Sequence, residues 1–141
     1  MVELTLDECL RLLSASEVGR IAIVDGDFPV VLPVNHLVVE IGGKPVIALR
    51  TRSGNVIDTA LAAVAFQVDG VDTARREGWS VLVRGWLRHV DSETGDPRGV
   101  AAVAEWLPDR DTLVLIEPVA ITGRRLHAAE LDWPFHPRAY L

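Results

Sequence analysis

Cysteine is almost missing from these 141 residues, with Cys9 standing alone. An intrachain disulfide and a multi-cysteine metal site are thereby excluded, and a reducing compartment, the cytoplasm, is the expectation. Long hydrophobic runs are also lacking, and the start, Met1-Val2-Glu3-Leu4, has no basic n-region, so neither a membrane span nor a secretory leader is expected. Basic charge is in the minority, with 14 Lys and Arg against 20 Asp and Glu for a net charge of −6. That balance argues against nucleic acid as a partner, because such binding draws its affinity from neutralised phosphates. A small anion remains possible, since a few local arginines suffice for it. Gly-x-Gly-x-x-Gly and Walker-type loops do not occur, and no carboxylate pair suits hydrolysis. The four histidines, His36, His89, His127 and His136, are scattered without metal-ligand spacing. With no low-complexity tract or charge block either, one folded domain over 1–141 is expected, its core near 6–125 and a tail at 126–141.

What is present is mostly β texture. Thr5-Leu6-Asp7-Glu8 has the capping-box pattern, and Leu6, Cys9, Leu10 and Leu13 follow at helical spacing, so one short amphipathic helix opens the chain. On that stripe Cys9 reads as a small buried apolar residue rather than a nucleophile. From Gly19 the chain turns to β-branched runs, Arg20–Val24, Phe28–Leu32, Asn35–Ile41 and Pro45–Leu49. Gly42-Gly43 suits a tight hairpin, and Pro33 predicts a break or bend in the ladder. Further strands are expected over Ala63–Asp69, Ser80–Val90 and Thr112–Arg124, the last with Glu117-Pro118 at an edge or bulge. Short helices are expected over Asn55–Leu61 and Asp96–Trp106. The aromatic tail around Trp133 and Phe135 is expected to pack on its own domain or on a partner chain. This pattern is that of a mainly β, six- to seven-stranded antiparallel barrel rather than a doubly wound sheet.

Two places could carry chemistry. Leu49-Arg50-Thr51-Arg52-Ser53-Gly54-Asn55 gathers guanidiniums, hydroxyls and a glycine at a strand-to-helix junction, which is phosphate-binding chemistry as well as the composition of a solvated loop. Asn35-His36 is a polar pair in an apolar stretch, facing either a ligand or water. Trp79 and Trp86 flank the entry of the long strand as core or interface anchors, and Ser80 has no histidine and acid arranged for a triad.

Taken in order, Val18-Gly19-Arg20-Ile21-Ala22, Leu32-Pro33-Val34-Asn35-His36, Leu49-Arg50-Thr51, Val64–Asp69, Gly78–Gly85 and Thr122-Gly123-Arg124 resemble the markers of the pyridoxamine 5′-phosphate oxidase-like family, in its short actinobacterial form. The resemblance covers roughly Leu6 to Arg125. It implies a flavin-binding split barrel that forms a homodimer, with flavin mononucleotide (FMN) held at the subunit interface. Carried over by position, Pro33, Val34 and Asn35 would line the isoalloxazine, largely through backbone groups. Arg50 and Thr51 would lie at the ribityl phosphate, with Asn55 at the start of the following helix, and Trp79 and Ser80 would reach in from the other protomer. Members commonly carry a lysine where this chain has Gly54-Asn55, a departure that removes one cation from the phosphate end. The implied activity is a flavin-dependent oxidoreductase acting on an unidentified small molecule, the redox chemistry being the cofactor's. A deazaflavin coenzyme or haem stays open beside FMN, as does a carrier, a sensor or a structural dimer without a cofactor. True pyridoxamine-phosphate oxidase activity is not expected, because no equivalent of the C-terminal substrate-binding segment of those enzymes is identified in the sequence.

Overall fold

Thr5 stops the entering chain and starts a helix. Its backbone N–H donates to Glu8 Oε2 at 2.7 Å, and the Glu8 N–H donates to Thr5 Oγ1 at 3.2 Å, closing the reciprocal cap of α1 (Leu6–Ala15). The computed structural model describes residues 2–52, 62–89 and 111–127. The helices expected over 55–61 and 96–106, Asn55 and most of the tail lie outside the described residues.

Seven antiparallel strands follow the chain: β1 (Val2–Glu3), β2 (Val18–Asp25), β3 (Phe28–Ile41), β4 (Lys44–Arg52), β5 (Ala63–Asp72), β6 (Glu77–His89) and β7 (Asp111–His127). They form one sheet in the order β1-β7-β4-β3-β2-β5-β6, and a β6–β7 pairing closes it into a barrel. Closure leaves one apolar interior, filled by Ile21, Ile47, Leu49, Phe66, Val81, Val83 and Ile116, with Cys9 and Leu13 of α1 plugging it. A second buried group, Val46, Ala48, Leu113 and Leu115, lies on the opposite face of the β4–β7 pair.

Local chemistry sets the corners. Gly42 and Gly43 take φ of 60° and 76°, which lets Ile41 pair directly with Lys44 across a two-residue turn. The β6–β7 register passes from Arg84↔Ala120 to Gly85↔Pro118, so Val119 is the extra residue of a bulge at the expected Glu117-Pro118 site. A Cβ on Gly85 would sit 2.1 Å from the Glu117 carbonyl oxygen, so the bulge requires glycine opposite it.

Pro33 departs from expectation. Phe28–Leu32 and Asn35–Ile41 are one continuous strand, and Pro33 pairs with Arg20 inside it. The reason is directional. The His36 N–H donates to the Glu17 carbonyl at 3.1 Å, so even-numbered residues here direct their backbone groups at β2. Pro33, at odd parity, would point its N–H away from β2, so lacking one costs the β2–β3 ladder nothing. The bend appears instead as a change of partner: β3 pairs with β2 through Asn35 and with β4 from His36.

Candidate functional site

The partner change at Asn35 and His36 opens one side of β3. Between Phe28 and Asn35 the strand has β2 on one edge and no strand on the other among the described residues. The backbone groups of Val31 and Asn35 and the carbonyl of Pro33 point to that open edge. Arg50 stands one register step beyond the His36↔Leu49 pair and lines, with Asn35, His36, Leu37, Ser14, Ser16 and Glu17, a polar concavity of about 430 Å³. The open edge and the guanidinium are therefore contiguous.

Alternation sorts the residues singled out from sequence. Pro33, Asn35, Arg50 and Ser80 are on the outer face of the barrel, where Pro33 and Asn35 are exposed. Val34 is half-buried against the core, and its backbone belongs to the β2 ladder. Thr51 is buried on the side of Ile47 and Leu49, opposite to Arg50. Trp79 also turns inward, packing against the core over Gly70, whose added Cβ would meet the indole at 2.6 Å. Asn35 and Arg50 thus share one space, whereas Ser80 lines a different concavity with Arg20, Gln67 and Arg84. Within one chain, the pieces form two separate groups.

His36 is not the outward strand residue that its polarity suggested. It is 4% exposed, donates from Nε2 to the Leu13 carbonyl at 2.8 Å, and meets Phe66 edge-on with ring centroids 4.9 Å apart. Its Nδ1 is buried without a hydrogen-bond partner among the described residues. Burial pushes the imidazole below its usual pKa, against the opposing effect of the Leu13 carbonyl. The signal was available in the parity of Val34 and Val38, its inward-facing neighbours on the same strand. Cys9, as expected, is a buried apolar residue at 1% exposure, and desolvation raises its thiol pKa. No group of His, Cys, Asp and Glu among the described residues is arranged to hold a metal ion. No helix there is long and apolar enough to cross a membrane.

The family profile described as pyridoxamine 5′-phosphate oxidase matches residues 5–125, most of the chain. The chain belongs to this family. A curated relative, the uncharacterized protein Rv0080 of Mycobacterium tuberculosis, is 36% identical over 140 residues, covering 91% of this chain and 87% of that one. Among solved structures, the FAD binding protein from Mycobacterium smegmatis superposes with a TM-score of 0.74 at 30% identity, over 90% of this chain and 98% of that one. A FAD-binding protein from Mesorhizobium loti shares the fold with a TM-score of 0.68 at 22% identity, over 88% and 95% of the two chains. The pyridoxamine 5′-phosphate oxidase family and the seven-stranded barrel agree on a flavin-binding split-barrel architecture.

Proposed function

We propose that this protein binds a flavin, FMN in the first instance, and works as a flavin-dependent oxidoreductase on a small molecule. The observation that carries the reading is the open backbone edge at Pro33 and Asn35 lying directly beside the Arg50 concavity. A flat heterocycle with polar edges fits a strand edge that offers unpaired N–H and C=O groups, and a phosphate fits a guanidinium at its end. The similarity to the Mycobacterium smegmatis FAD binding protein supports a flavin as the ligand. When bound, the flavin supplies hydride acceptance and donation at its ring nitrogen. The chain's part is to orient the ring against β3, hold the phosphate at Arg50 and keep the site fixed through the α1-plugged core. Thr51 and Val34, turned inward, act as supports rather than contacts.

The working unit in this reading is a homodimer. Val24, Val31, Trp86 and Val119 are exposed by 55–72% on the outer face, and several of them border an apolar depression floored by Ala22, Ala63 and Ala65. A second copy of the chain would cover this surface and bring its Ser80 group toward the Arg50 group, joining the two halves that one chain keeps apart. A cytoplasmic setting accords with a lone buried thiol.

Native mass spectrometry of freshly purified protein, with its visible spectrum, tests both parts. The expected result is a dimer carrying one flavin per chain. A colourless monomer that takes up no added FMN would overturn the proposal.

A further inference from the structure

The barrel forks a second time, at the end of β4 away from Arg50. The β4–β7 ladder begins at Ile47↔Ile116, so Lys44, Pro45 and Val46 pair with β3 alone. Between Glu117 and Thr122, β7 has β6 on one edge and no strand on the other among the described residues. The two strands diverge around a pair of contiguous hollows that share Lys44, Pro45 and Pro118. One, of about 200 Å³, reaches Arg88 and Glu117. The other, of about 370 Å³, runs past Ala120 and Ile121 to Leu6 at the start of α1. Lys44 and Arg50 are six residues apart on β4, about 20 Å of strand.

The chemistry changes along the fork. Lys44, Arg88 and Glu117 are the charged side chains among the described residues lining it, and together they leave one positive charge. Arg88 reaches Glu117 through Nη2, while its Nε is buried without a hydrogen-bond partner among the described residues. One carboxylate therefore does not saturate this partly exposed guanidinium. Lys44 is exposed and has neither an ionic nor a hydrogen-bonding partner there. The longer hollow is walled instead by apolar groups, Pro45, Pro118, Ile121 and a Leu6 side chain that is 54% exposed. An apolar trough that ends at two cations matches an amphiphile with one anionic end. A single net charge and a planar guanidinium suit a carboxylate better than a phosphate dianion. An added β-strand suits the fork poorly, because Pro45 and Pro118 line it from both sides and neither has an N–H to offer.

We propose that the fork between β4 and β7 binds an aliphatic monocarboxylate, its carboxylate between Lys44 and Arg88 and its chain along Pro45, Pro118 and Leu6. The site goes beyond the flavin reading and does not rest on it, because neither Asn35 nor Arg50 is among its lining residues.

Calorimetric titration of octanoate into the full-length protein tests the site. One saturable site per chain is expected. Octan-1-ol, with the same chain and no charge, should bind at least tenfold more weakly, and Lys44→Gln should weaken octanoate by about tenfold, the size of a charge-assisted hydrogen bond. Leu6→Glu, which sets a like charge in the trough, should weaken it at least as much. Both replaced side chains are exposed, so thermal melts of the variants should match the parent. Saturating FMN should leave octanoate affinity within about twofold. Absence of saturable binding at millimolar octanoate overturns the proposal, as does equal affinity for octan-1-ol or a folded Lys44→Gln variant that binds octanoate like the parent. Displacement of octanoate by FMN would put it in the flavin site and overturn the proposal too. Octanoate binding by a protein that takes up no flavin leaves this site standing and removes the flavin reading alone.

Discussion

Gly70 and Trp79 face each other across the β5–β6 ladder so closely that a Cβ on Gly70 would lie 2.6 Å from the indole Nε1. The glycine is what lets the indole fold inward onto the core beside outward-facing Ser80. Gly70→Ala should therefore displace the Trp79 ring, with a shift in its fluorescence and a loss of about 1–3 kcal/mol in unfolding free energy from overpacking. Unchanged stability and emission would show that the ring yields freely and that the contact does not fix it.

Cys9 and Gly123 give a second packing test. The Cys9 Sγ would sit 2.6 Å from a Cβ at Gly123, with Leu4 closing the other side at 3.0 Å, and the thiol itself is buried. A thiol reagent should leave native protein unmodified and label it fully in denaturant. Gly123→Ala should destabilise the packing of α1 on the barrel and make Cys9 reactive under native conditions. Rapid labelling of the unaltered native protein would place the thiol at the surface and contradict the packing.

His36 makes stability depend on pH in one direction. Its folded pKa is depressed by burial, and protonating Nδ1 would bury a charge beside no acceptor among the described residues. The stabilising contribution of the neutral ring is thus complete above the unfolded value near pH ~6.5. It is lost as pH falls from there toward the depressed folded value, because the unfolded chain binds the proton first. Thermal melts between neutral and mildly acidic pH should show a decline that His36→Gln reduces. An equal decline in the variant would assign the acid sensitivity to other groups.

Arg50 tests the phosphate end of the proposed flavin site. Arg50→Ala should weaken FMN binding by about 1–3 kcal/mol, the range for hydrogen bonds to charged groups, and should alter riboflavin affinity far less. The comparison separates a phosphate contact from a general loss of fold. Equal weakening of both ligands would move the phosphate away from Arg50.

The outer apolar face yields an association test. Val24→Glu places a charge where Val24, 64% exposed, lines the apolar depression on the outer face. If a second copy covers this face, light scattering of the variant should report a lower mass than the parent protein, without loss of the monomer's β-sheet signal. An unchanged mass would mean that the chains associate elsewhere or not at all.

Features whose physics is local could be read from the sequence by itself. Thr5 and Glu8 are three residues apart and cap their own helix, Gly42-Gly43 needs only its own positive φ angles, and Pro118 marks its own bulge. The ordered motifs also carried the family and with it the barrel. The tertiary structure decided whatever depends on register between distant strands. Pro33 remains inside a continuous strand because the orientation of its missing N–H is set by the pairing with β2. His36 is inward because its parity is counted from the core, not from its polarity. Arg50 and Thr51, adjacent in sequence, were separated to opposite faces, and Arg20, Arg84 and Arg124, far apart in sequence, were brought to one hollow. A strand's side chains alternate with period two, so local composition says which residues are present, while only the pairing partner and its register say which face they share.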